Sequence, residues 1–188
     1  MLMNKTTDSE FSTINEFRAR LRGKLLRPGD NEYNSARQVW NGMIDKHPAL
    51  IVRCAEVSDV VSAIRFARNE RVTVAVRSGG HSVVDHGVCD GGLVIDLSLM
   101  KRVWVEVDRC QAGAEAGVTT GEFLSATQEF GLATPTCPRS DVGLFRPCAW
   151  GRHRLAYRQV RDDLRQPSRG RYRHSRRQII QGEHDRAP

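Results

Sequence analysis

The segment Val76-Arg77-Ser78-Gly79-Gly80-His81-Ser82 has residue types and spacing that can do chemistry. It leaves an apolar run and sets two glycines side by side, so the backbone can take positive φ and a ligand can approach the main chain closely. Successive N–H groups in such a turn form an anion-binding nest, which suits a pyrophosphate. Arg77 offers a charged fork at one end. His81 stands at the other end, where it can meet a reactive ring. A plain tight turn carrying a surface histidine fits the same residues, and the pattern leaves both readings open. Asp90-Gly91-Gly92 reads as a turn first and a ligand contact second.

Other constellations are weaker. No GxGxxG opens a helix after the first strand, and Gly113 and Gly117 are four apart, so a Rossmann nucleotide site is not supported. Ser140, His81 and Asp141 make a hydrolase triad on paper, with nothing in their local sequence to support it. Cys54, Cys89, Cys110, Cys137 and Cys148 are odd in number and form no CxxC pair. A disulfide framework and a zinc ribbon are therefore poor readings, and a reducing, cytoplasmic setting is expected. His153, His174 and His184 lack metal-ligand spacing.

The elements that must position the loop can be read on either side of it. Residues 1–45 read as a helical lead-in, with Phe17, Leu21, Leu25 and Leu26 at roughly helical spacing and Pro28-Gly29 as the break. Ala49–Arg53 is a short apolar strand. Ser58 is a candidate cap for a helix from Asp59, whose apolar face is Val60, Val61, Ile64 and Ala67. Val72–Val76 is a second strand, which completes a βαβ unit with parallel strands. Strands are then expected at Leu93–Leu97, Val103–Val107 and about Cys110–Ala114. Thr119 and Glu122 match a capping box for a helix through Phe123, Leu124, Thr127 and Phe130, with Gly131 as its stop. The body reads as α+β: a βαβ subdomain followed by a mixed or antiparallel sheet.

Charge divides the chain. The 188 residues carry +7, from 29 Lys+Arg against 22 Asp+Glu. Residues 146–188 hold 12 arginines, no lysine and four acids, which gives 12 − 4 = +8. The preceding residues hold 17 basic and 18 acidic groups, or −1. The body is thus nearly neutral, and the whole excess sits at the end. No apolar run reaches the roughly 20 residues of a membrane helix, and the polar start argues against a secretory signal.

Three segments carry a family resemblance. RPGDNEYNSARQVWNGMIDKHPALIVRC (27–54), FARNERVTVAVRSGGHSVVDHGVCDGGLVIDLS (66–98) and GEFLSATQEFGLATP (121–135) resemble the berberine-bridge-enzyme-like FAD-linked oxidases. These belong to the p-cresol methylhydroxylase/vanillyl-alcohol oxidase flavoprotein superfamily. The resemblance covers about residues 15–144, so residues 46–144 would be a partial FAD-binding domain of this type. It implies that Arg77, Ser78, Gly79, Gly80, His81 and Ser82 wrap the FAD pyrophosphate. It further implies that His81 bonds covalently to the 8α-methyl of the flavin. Ser140-Asp141-Val142-Gly143 resembles the family's next FAD-contacting segment, with Ser140, Asp141 and Gly143 as contacts. The implied activity is oxidation of a small-molecule C–H or alcohol substrate, with the flavin taking hydride. Two departures stand out: Asp85 replaces a usual glycine, and Thr136-Cys137-Pro138-Arg139 replaces a glycine-bearing segment.

Beyond residue 144 the resemblance stops, and residues 145–188 form an arginine-rich tail with no sustained period. The family continues with a stretch resembling SGLALGGGIGW and then a YGxxCDN motif, and neither is present. With suitably chosen codons and read one base on, Trp150 to Arg158 can spell GGGIGWLT, Gln159 to Pro167 can continue as GKYGTTCDN, and Phe145 to Ala149 can yield SGLAL. The middle base of each shifted codon is usually free, while the outer bases are mostly fixed. The tail is therefore expected to be a frame-shifted, disordered translation. The chain is expected to be an N-terminal fragment that binds FAD weakly or not at all and turns over no substrate. The competing reading is a nucleic-acid-binding arm, RGRYRHSRR (169–177), with Tyr172 available for stacking. Neither the substrate, the electron acceptor nor the oligomeric state is legible.

Overall fold

The computed structural model describes residues 13–134 and 136–144, together with the backbone of three short strands in the tail. Two compact units divide the chain, residues 1–100 and 101–188.

In the first unit a helix, α1 (residues 13–19), precedes strand β1 (Lys24–Leu26) and the short helix α2 (Tyr33–Arg37). Strand β2 (Leu50–Arg53), helix α3 (Val57–Glu70) and strand β3 (Val74–Arg77) follow, and strand β4 (Leu93–Asp96) completes the sheet. The order across it is β1-β2-β4-β3. The expected parallel βαβ unit is present, but its two strands are not neighbours. Strand β4 lies between them, parallel to both, with Arg53 and Arg77 on either side of Asp96.

Strands β2 and β4 are covered on both faces, which is why ALIVR and LVID read as largely continuous apolar runs, whereas Val74 and Val76 of the edge strand β3 are exposed. Leu50, Val52, Leu93 and Ile95 face α3 and α1, where Phe17 stacks on Phe66 with ring centroids 4.2 Å apart. Ile51, Ala75 and Val94 face the other way, onto Leu26, Tyr33, Val88 and Cys89. The interior positions Ile51, Val52, Leu93, Val94 and Ile95 are essentially inaccessible to water. Burial of apolar side chains on this scale is what holds the layer together.

Three sequence expectations are corrected here. Leu25 and Leu26 belong to strand β1, antiparallel to β2, and not to a helix. Gly23 allows this approach, since a Cβ there would lie 1.9 Å from the Arg53 carbonyl oxygen. Helix α3 begins at Val57, and Ser58 does not cap it; its hydroxyl donates to Glu56 at 2.6 Å. The buried face of α3 is Asp59, Ala63 and Ala67, while Val61 and Ile64 are exposed. The cause is Asp59, whose carboxylate must point inward to accept the backbone N–H groups of Arg22, Gly23 and Ala55 at 2.8, 3.0 and 2.9 Å. Small alanines at i+4 and i+8 then let the helix sit close to the sheet.

In the second unit strands β5 (Val103–Glu106) and β6 (Gln111–Ala114) form an antiparallel hairpin, joined by a 3₁₀ turn and a left-handed Cys110. Helix α4 (Thr120–Gln128) carries the expected capping box, with both reciprocal bonds between Thr119 and Glu122. Gly131 follows it at φ 65°, the expected stop, whereas Phe130 lies beyond the helix and is exposed. Strand β7 (Leu132–Ala133), absent from the sequence reading, pairs with β8 (Arg158–Gln159). In the tail β9 (Arg171–Arg173) pairs with β10 (Ile179–Gln181). The expectation of a disordered tail otherwise lies outside the described residues.

Candidate functional site

The glycine loop leaves the carboxyl end of β3, at the edge of the parallel sheet. Ligand loops of open α/β sheets gather at this end of the strands. Of the two glycines only Gly80 takes a left-handed conformation, φ 68°. A Cβ there would meet nothing closer than Arg77 Cδ at 3.5 Å, so glycine is required for its backbone angle and not for space. Ser78, Gly79, Gly80, His81 and Ser82 are all half-buried.

Arg77 is corrected. Its guanidinium does not offer a fork to a ligand: the residue is 8% exposed and turned into the fold. Nη2 donates to Asp96 Oδ2 at 2.6 Å, and Nη1 donates to the Gln38 carbonyl at 3.1 Å. The Leu97 N–H also donates to the Arg77 carbonyl at 2.8 Å. Arg77 therefore anchors the root of the loop. Its partner Asp96 is 2% exposed and additionally accepts the Ser98 N–H at 3.0 Å through Oδ1.

A second anchor escaped the sequence reading. The irregular segment 38–41 runs alongside the loop and holds it at four points. Besides the Gln38 contact, the Trp40 N–H donates to the Gly80 carbonyl at 3.0 Å. The Trp40 ring stacks on His81, with centroids 5.7 Å apart and planes 28° apart. Asn41 Nδ2 donates to the Val83 carbonyl at 3.0 Å, while its Oδ1 accepts the Met43 N–H at 3.1 Å. The segment carries no hydrophobic period, so only a Trp-Asn-Gly step in an irregular stretch hinted at it.

Asp85 stands in the turn after His81. Asp85 opens a 3₁₀ turn (Asp85–Gly87) at ordinary φ, and its carboxylate pairs with Lys46. The hydrogen bond from Lys46 holds the Asp85 carboxyl below the usual carboxylate range, and the same bond raises the Lys46 ammonium. Asp90-Gly91-Gly92 is a turn, as expected. Asp90 accepts the His47 N–H at 2.7 Å, and a Cβ on Gly92 would lie 2.4 Å from the Thr73 carbonyl oxygen.

An anionic group fits this loop. Two carbonyls that would repel a phosphate, those of Gly80 and Val83, are taken up by Trp40 and Asn41. The carboxylates of Asp85 and Asp96 are each paired with a cation. The loop itself holds a left-handed glycine turn and a half-buried imidazole, groups of the kind that suit a diphosphate ending near a reactive ring.

Ser140, Asp141 and Gly143 lie in the second unit, on a segment laced to the start of α4. The Ser140 and Val142 carbonyls accept the Gly121 and Thr120 N–H groups, each at 2.8 Å. Gly143 bridges to Thr119 and is buried. Asp141 is held in a two-pronged pair with Arg139, at 3.0 and 2.6 Å. These contacts satisfy backbone N–H groups in the N-terminal turn of α4. Among the described residues no cluster of His, Cys, Asp and Glu could hold a metal. Nor is any helix long and apolar enough to cross a membrane.

Residues 48–166 match the FAD binding domain family, and the chain belongs to that family. Relatives of the chain are named as FAD-linked oxidoreductases and oxidases. The chain is 35% identical over 127 residues to the FAD-linked oxidoreductase YgaK of Bacillus subtilis, covering 68% of this chain and 28% of that protein. It is 32% identical over 123 residues to (R)-6-hydroxynicotine oxidase of Paenarthrobacter nicotinovorans, covering 65% and 27%. Among solved structures, a berberine-bridge-enzyme-like protein of Physcomitrella patens superposes with a TM-score of 0.66 at 27% identity, over 69% of this chain and 29% of that one. The chain thus spans less than a third of the length of these relatives. The family match runs past residue 144, where the resemblance read from the sequence ended.

Proposed function

We propose that this chain supplies the diphosphate cradle for FAD in an FAD-dependent oxidoreductase of a small-molecule C–H or alcohol substrate. The carrying observation is the left-handed Gly80 turn beside a half-buried, stacked His81 at the carboxyl end of β3. Ser78 to Ser82 contact the diphosphate, and Arg77 serves by anchoring the loop. His81 is the attachment point for the flavin 8α-methyl. Ser140, Asp141 and Gly143 are proposed as further cofactor contacts. The flavin supplies hydride acceptance; the chain's own residues bind it, orient it and hold one edge of His81 toward it.

These 188 residues by themselves bind FAD weakly or not at all and turn over no substrate. Purification with excess FAD, acid precipitation and a visible spectrum test this. A flavin spectrum with stoichiometric FAD that survives acid precipitation would overturn it. The tail from about residue 145 is read as frame-shifted: its arginine without lysine and the motifs one base over support this, while the family match to residue 166 counts against it. The gene's own codons from 136 to 188 decide. Codons that do not spell the glycine-rich and YGxxCDN motifs in the shifted frame exclude the idea. The +8 of residues 146–188 supports a second reading, a nucleic-acid-binding arm. A salt-dependent gel shift of RNA or DNA, lost on deleting those residues, would favour it.

A further inference from the structure

We infer that Trp40 is a positioning residue that pre-forms the cofactor face of the glycine loop, through its backbone onto Gly80 and through its ring onto His81. The inference rests on the proposed FAD reading for its purpose, but its geometry stands without a ligand. One residue makes both contacts: a 3.0 Å hydrogen bond to the Gly80 carbonyl, and an offset stack on His81 at 5.7 Å and 28°.

The first contact fixes the peptide plane that follows the left-handed glycine. Gly80 has the widest conformational choice of any residue type, and the turn needs only one of its states. Tying its carbonyl inward selects that state before a ligand arrives. The second contact covers one face of the imidazole. A histidine ring turns broadly about its terminal side-chain torsion, since that torsion has no sharp staggered wells. An indole against one face removes much of that freedom. Offset aromatic pairs of this kind are favoured over free rings.

The flanking contacts show that the position is built. Trp40 lies between Gln38, which accepts from Arg77, and Asn41, which donates to Val83. Asn41 is itself locked by an Asx turn onto Met43. Yet Trp40 is 56% exposed, more than a tryptophan kept for core packing would be. Val39 and Ile44, on either side, are the ones packed against the apolar layer. Trp40 is thus held in place by its neighbours while its ring serves the loop.

Preorganisation acts on affinity by removing ordering costs from the binding step. Because Trp40 is more than half exposed, its replacement leaves the fold intact. Trp40→Leu keeps bulk without a ring, and Trp40→Phe keeps an aromatic face. In the flavin-free chain, ring-current shifts place the His81 carbon-bound protons upfield. That displacement disappears in Trp40→Leu and survives, reduced, in Trp40→Phe. Titration with FAD, read on the Gly80 amide, shows apparent affinity about 10-fold weaker in Trp40→Leu and within about 3-fold of the parent in Trp40→Phe. His81 signals unmoved by Trp40→Leu, or FAD affinity equal in all three chains, overturn the inference. A parent chain with no response to FAD at all bears on the cofactor reading and not on Trp40, and the ring-current comparison still decides whether Trp40 orients His81.

Discussion

Asp96 is where the interior of the first unit meets the loop. It sits 2% exposed between Arg77 and Arg53, with Arg77 at 2.6 Å and Arg53 Nε at 3.8 Å. Removing one partner of a buried pair leaves the other charge unpaired, which costs far more than the pair itself contributes. Asp96→Ala is therefore expected to lower stability by about 3 to 5 kcal/mol, measured by urea unfolding of the first unit. A loss below about 1 kcal/mol would show that the pair is not what anchors the loop root. At the same scale, burial pushes the Cys54 thiol up to about 12, with the Asp59 and Asp96 carboxylates adding to the effect. Burial also raises Cys89. Since the thiolate is the nucleophile, iodoacetamide at pH 8 should modify the half-buried Cys110 and Cys137 well before Cys54 or Cys89. Early mass-spectrometric labelling of Cys54 would contradict this. The residues that do chemistry were partly legible: Gly80 and His81 follow from the Gly-Gly-His step itself. The inward turn of Arg77 was not, because it depends on Asp96 from a strand nineteen positions on, and a lone arginine beside glycines reads equally as a fork or an anchor.

The elements are fixed largely at their ends. The capping box of α4 was legible outright, since Thr119 and Glu122 are three apart and both bonds are local. Thr119→Ala should cost about 1 kcal/mol, seen as a lowered melting temperature of the second unit. Glu122 also accepts from Lys101 Nζ at 2.6 Å and from the Thr119 N–H at 2.7 Å. Its partial burial works the other way, but these bonds win and its carboxyl lies below the ordinary value of 4.5. A lowered carboxylate stabilises the folded state above its unfolded pKa and loses that contribution as pH falls through the folded one. The stability of the second unit should therefore be flat with respect to Glu122 above about pH 5 and decline below it, and Glu122→Gln should flatten that decline. An unchanged acid profile in Glu122→Gln would remove Glu122 from the account. Helix α3 shows the opposite case. Its apolar periodicity favoured Val61 and Ile64, yet three backbone N–H groups demanded Asp59 inside, and the helix rotated to deliver it. Asp59→Ala should cost about 1 to 3 kcal/mol, because three part-buried backbone donors lose their buried acceptor. Contacts across thirty-six or thirty-seven residues, as with Gly23 and Arg22, are invisible to local periodicity.

At the scale of the molecule the charge is segregated: −1 before residue 146 and +8 after it. Retention on a cation-exchange column at neutral pH should therefore depend on the tail. Deleting residues 146–188 is expected to abolish it, and a truncated chain that still binds would place basic surface in the body. The α+β class and the parallel pairing were legible, because fully apolar runs such as ALIVR and LVID signal strands covered on both faces. The strand order was not, since nothing in either run says which strand it will lie beside. That order has a consequence for synthesis. Strands β2 and β3 are made first, but neither has its central neighbour until residues 93–96 have been translated. A nascent chain shorter than that carries two apolar strands with open hydrogen-bonding edges, and such edges invite pairing with other chains. Ribosome stalling or early termination between β3 and β4 should therefore yield products that depend on chaperones, while the same chain extended through Asp96 can close its own sheet.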